Sequence, residues 1–107
     1  DQIGLNHLEH KALATLHNEW QQARVEQRFA LAMEVAQDAL YHHHQAHTKA
    51  AWKQVTDRWQ QAIRMMNAIP QTSPKYPVAQ AKVKLYNSFY NTAKKAAKAA
   101  HLAKRLR

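Results

Sequence analysis

Four of the chain's eight histidines crowd into one stretch, His42, His43, His44 and His47. On a continuous helix His43 and His47 stand at i, i+4, and His44 and His47 at i, i+3. Either pair then has the spacing to chelate a divalent transition metal through imidazole nitrogens. His7, His10 and His17, on one side of the preceding helix, are candidates for further ligands. Structural sites usually take four ligands, and carboxylates are scarce nearby, so the competing reading is a solvated, polar helix end that holds no metal. Glu9, between His7 and His10, does not have the spacing of a zinc-protease helix. Proton uptake is the other chemistry available here. Neighbouring imidazolium groups would repel one another and loosen the junction at mildly acidic pH.

The second constellation is cationic. Lys94, Lys95, Lys98, Lys104, Arg105 and Arg107 form a basic tail, with Lys94 and Lys98 at i, i+4, and Lys82 and Lys84 extend the flank backwards. The whole chain carries 16 Lys and Arg against 7 Asp and Glu, a net charge of +9 with histidine neutral. Such a balance favours anionic partners: an acidic protein, nucleic acid or an anionic membrane surface. On nucleic acid these side chains would make phosphate contacts without sequence preference. Membrane insertion is less well served, because after Phe89 and Tyr90 the accompanying apolar face is mostly alanine. Without a partner, the same residues are simply a solvated helix with cations well placed near its C-terminus.

Enzyme chemistry finds no support. There is no cysteine, hence no thiol nucleophile, thiolate metal site or disulfide framework. The acids, Asp1, Glu9, Glu19, Glu26, Glu34, Asp38 and Asp57, are scattered singly, and the serines are only Ser73 and Ser88. No glycine-rich phosphate loop exists. The Glu-x-x-His pattern of di-metal bundles is absent, since Glu19 is followed by Gln22 and Glu34 by Gln37. We therefore expect no catalytic residue and no cofactor. No apolar run is long enough to span a bilayer. The sequence opens at Asp1 without an initiator Met, as a processed chain or an excised piece would.

Elements that present these groups must be helical. The chain has one glycine, Gly4, and its three prolines, Pro70, Pro74 and Pro77, fall in one short stretch. Sheet proteins need turn residues far more often. The region from Leu5 to Ile69 lacks both Gly and Pro and is rich in good helix formers. Its weakest point is Tyr41 to Thr48, where Thr48 is suited to cap a second helix. The pattern predicts a first helix from about Leu5 to His43, with a bend near Arg28 where the apolar stripe changes face. Leu13, Leu16, Trp20 and Ala23 line it before that point, and Phe29, Met33, Ala36 and Leu40 after it. The second helix is expected from Lys49 to Ala68, with Trp52, Val55, Trp59, Ala62 and Met66 as a packing seam. Pro70 ends it, and Pro77 opens a third helix reaching Leu102 or beyond. Ala79, Val83, Tyr86, Tyr90, Ala93, Ala97 and Ala100 form the third seam. All three tryptophans fall on these stripes and read as core. The predicted domain is single, spanning 1–107, with a helical hairpin across 49–102 and a basic tail at 94–107.

Trp20-Gln21-Gln22-Ala23 recurs as Trp59-Gln60-Gln61-Ala62, roughly 39 positions on, near the period of helix-hairpin repeats. Trp59, Ala62, Ile63, Ala68-Ile69-Pro70, Tyr76, Ala79, Tyr86 and Ala93 resemble a tetratricopeptide-type boundary. With Ser73-Pro74, Lys82 and Asn91, the segment also resembles a short helical-hairpin module frequent in cyanobacterial proteins. The likeness covers about the last half of the chain. It departs from the repeat family in lacking the small glycine usual in the first helix. The resemblance implies a protein–protein interaction or structural role, and no catalytic residue transfers with it. The combined expectation is an all-α bundle or short solenoid of three to four antiparallel helices, acting as a non-catalytic adaptor. Its partner surface is expected at Tyr86, Tyr90, Lys94, Lys95, Lys98, Lys104 and Arg105. The seams are wider than a lone hairpin covers, which also invites self-association. The alternatives are a small basic nucleic-acid-binding protein and a metal-binding protein using His43, His44 and His47.

Overall fold

Thr48 interrupts what would otherwise be one long helix. Its backbone is extended (φ −113°, ψ 159°), and its side chain accepts a hydrogen bond from the Ala51 amide at 3.0 Å. That satisfies one of the free N–H groups at a helix start. The computed structural model describes the backbone of residues 2–106 and the side chains of residues 7–103. Three helices result: α1 (Gln2–Gln45), α2 (Lys49–Asn67) and α3 (Tyr76–Leu106). No strand occurs among the described residues. The all-α architecture expected from the sequence is what forms.

The α2–α3 turn is built from the proline cluster. The Ala68 amide still bonds back to Arg64 at 3.1 Å, and Ile69 to Met66 at 3.2 Å. Pro70, which has no N–H to continue the ladder, then accepts from Ser73 through its carbonyl at 3.0 Å. Ser73 accepts from Tyr76 through its carbonyl and from the Lys75 amide through its Oγ, each at 3.0 Å. Pro77 lies in the first turn of α3, where a missing N–H costs nothing.

The core is thin and largely alanine. Ala32, Ala36 and Ala39 from α1, Ala62 from α2, and Ala79 and Ala93 from α3 are all buried. Such small side chains let helix axes approach closely. Trp59, Met66, Ile69 and Val55 supply the bulk and are almost wholly inaccessible. Helix α2 packs against both neighbours, whereas α1 and α3 scarcely meet. The reason is one of length and order. The 19 residues of α2 are the shortest element, and α1 and α3 each outrun it at opposite ends. The molecule is accordingly a rod, 84 × 18 × 15 Å along its principal axes.

Helix α1 runs unbroken through Arg28. The apolar stripe does change face there, as expected, but no helix covers its first half. Every described side chain from His7 to Arg24 is exposed, including Leu8, Leu13, Leu16 and Trp20. Trp20, expected in the core, is 56% exposed, while Trp59, in the same Trp-Gln-Gln-Ala tetrapeptide, is 1% exposed. Helix α2 ends too soon to reach Trp20, so the identical tetrapeptide is core in one place and surface in the other.

Candidate interaction surfaces

The histidine cluster is divided by the end of α1. His42, His43 and His44 lie in its last turn, and His47 lies beyond Gln45 in the connection to α2. The continuous helix that would bring His43 and His47 together is therefore broken between them, and the i, i+4 chelating pair is not formed. No group of three or more potential ligand side chains converges among the described residues.

His43 has a different environment. Its ring meets Trp52 edge-on at 5.1 Å, Trp59 at 6.3 Å and Phe89 at 6.0 Å between centroids. Trp59 Nε1–H donates to His43 Nδ1 at 3.3 Å. That bond requires a neutral imidazole with its lone pair on Nδ1. Burial, and secondarily the neighbouring His44, holds the His43 pKa below its ordinary 6.5. His43 is thus an α1 side chain that reaches both α2 and α3. His42 is engaged beside it: Arg58 of α2 donates to the Asp38 carboxylate and lies 2.8 Å from His42 Nδ1. Together these contacts pin the end of α1 to the hairpin.

Of the partner residues expected on α3, Tyr86 is corrected. It is 5% exposed, with its ring 5.5 Å from that of Trp59, and burial pushes its phenol pKa up. Its place on the Ala79–Ala93 seam decides this: it belongs to the core. Tyr90 is half-buried, its hydroxyl accepting from Gln60 Nε2 at 2.9 Å. Lys94 is exposed and leans over the Tyr90 ring at 5.4 Å. Lys95 and Lys98 are exposed as well. The side chains of Lys104 and Arg105 lie outside the described residues.

Two features were not singled out from the sequence. The last acid in the chain is Asp57, and eleven of the 16 Lys and Arg residues come after it, so α3 carries no negative charge at all. The signal was present in the order of charges, though not in their totals. The other feature is a wide, open notch of about 540 Å³ where α1 leaves the proline turn, lined by His17, Gln21, Val25, Glu26, Pro74 and Lys75. It needs tertiary structure to exist, because its two walls are far apart in the chain. Comparison of the chain with protein-family models, with curated proteins and with solved structures gives no match.

Proposed function

We propose that this chain is a non-catalytic helical interaction module that docks onto an acidic protein surface through the outward face of α3. One observation carries the reading. Exposed Lys84, Lys95 and Lys98 are interleaved on α3 with exposed Leu85 and Leu102. Phosphate contacts need the cations alone, whereas a protein interface uses apolar contact at its centre and charge at its rim. The likeness of the Trp59–Ala93 region to a tetratricopeptide-type boundary supports the same role.

The test is capture from an extract of the source organism at low and high salt, with and without nuclease, using the wild type and the Lys94→Glu/Lys98→Glu variant. Both substituted positions are solvent-facing, so helicity by circular dichroism should be unchanged. The expected result is a discrete protein that survives nuclease and is lost with the variant. Capture that vanishes with nuclease and yields nucleic acid would replace this reading with that of a basic nucleic-acid binder.

A further inference from the structure

Four glutamates of α1, Glu9, Glu19, Glu26 and Glu34, are exposed. Among the described residues the ion pairs join only Asp38 to Arg58 and His42. The sequence explains why these four have none. No Lys or Arg stands three or four residues from any of them, so none gains intrahelical charge support. At about 100° per residue, Glu9, Glu19 and Glu34 fall on the half of α1 turned away from Phe29, Ala32 and Ala36, whereas Glu26 stands at its edge and lines the notch beside the proline turn. That same half carries exposed Leu16, Trp20 and Leu31, with exposed Leu8 at its edge. Lys11 and Arg28 lie outside it; Arg24 is the one cation within it, its guanidinium over the Trp20 ring at 4.8 Å, so the glutamates still outnumber it.

The outward half of α3 is the opposite in charge and alike in apolar content. Lys84, Lys95 and Lys98 are exposed beside Leu85 and Leu102, and no acid on the helix offsets them. Within one chain these two faces cannot meet. Each points away from α2, and α1 and α3 are barely in contact. The lengths are compatible: the 31 residues of α3 extend about 46 Å and the 44 of α1 about 66 Å. The basic helix therefore fits alongside the acidic one over most of its length.

We infer that the glutamate-and-leucine face of α1 in one copy packs against the lysine-and-leucine face of α3 in a second copy of this chain. The inference rests on the reading of α3 as a docking face and names its occupant. The contact joins two different faces, so each copy keeps one free face of each kind and assembly extends side by side beyond the pair unless rotation closes it.

Sedimentation over a dilution series tests it. At low ionic strength the apparent mass should rise with concentration to at least twice that of a single chain. It should fall back near 1 M salt, where the screening length is about 3 Å. Glu19→Lys/Glu34→Lys and Lys84→Glu/Lys95→Glu should each weaken association by about tenfold or more. Mixed in equal amounts, the two variants carry matched faces in both directions and should associate again, which neither does alone. Restoration also shows that both variants are folded. A wild type that stays monomeric at low salt, or variants that associate as the wild type does, would overturn the proposal. The two readings fail separately. A monomeric wild type whose captured protein is lost in the Lys94→Glu/Lys98→Glu variant removes self-association and keeps the adaptor. Association restored on mixing, with no other protein captured, does the reverse.

Discussion

Trp59 and Trp20 show how much of a residue's worth is context. Trp59 is enclosed by Tyr86 and Phe89, with ring centroids at 5.5 and 5.0 Å, and bonds to His43. Truncating it to alanine should cost about 3–5 kcal/mol, read as a lower midpoint of urea unfolding. Trp20→Ala, on an uncovered helix face, should change the same midpoint by no more than about 0.5 kcal/mol. His43 sets a pH dependence at the same scale. Its folded pKa is depressed by burial and by His44, so between the folded and unfolded values the unfolded chain binds more protons. Its contribution is then fully present above about pH 6.5 and is lost as pH falls through and below that value. Uptake of the proton also removes the Nδ1 lone pair that accepts from Trp59. The melting temperature should drop between pH 7.5 and pH 5.5, and the drop should be smaller in His43→Gln. An equal drop in that variant would assign the dependence to another group.

Among the elements, α1 is two helices in character joined end to end. From Phe29 onward it contributes Phe29, Ala32, Ala36 and Ala39 to the core. From His7 to Arg24 every described side chain is exposed, and a lone helical stretch of that length is marginal in water. Amide hydrogen exchange should therefore be fast for residues 7–24 and slow for residues 29–43, despite continuous backbone hydrogen bonding through both. Uniform protection along α1 in dilute solution would mean that something covers the first half after all. Increasing protection of residues 7–24 with protein concentration is what contact with a second copy predicts.

For the whole molecule, charge distribution matters more than net charge. The +9 total is concentrated in the last half, and α3 has no acid with which to offset its lysines. The one Lys or Arg ion pair among the described residues is Arg58 with Asp38, exposed enough to contribute little. Self-repulsion therefore outweighs internal pairing. Modest salt should raise the melting temperature of the dilute protein, because screening relieves that repulsion. A fall on adding salt would show that attractive pairs dominate instead.

By itself the sequence determined the helices, and the physical reason is local. One proline cluster, one capping threonine and three regular apolar stripes admit no other secondary structure. The boundaries are set by those residues to within a few positions. It also determined which residues could bear charge to a partner, since Lys94, Lys95 and Lys98 fall outside the seam spacing. What only the tertiary structure decided is which stripe is covered. Leu13, Leu16 and Trp20 have the same periodicity as Val55, Trp59 and Ala62, and periodicity marks a face that can pack without saying whether a neighbour arrives. The short α2 decides that for Trp20, the seam position decides that Tyr86 is core, and the end of α1 at Gln45 decides that His43 and His47 do not share a helix. Coverage depends on the lengths and order of elements distant in sequence, and those relations exist only once the chain has folded.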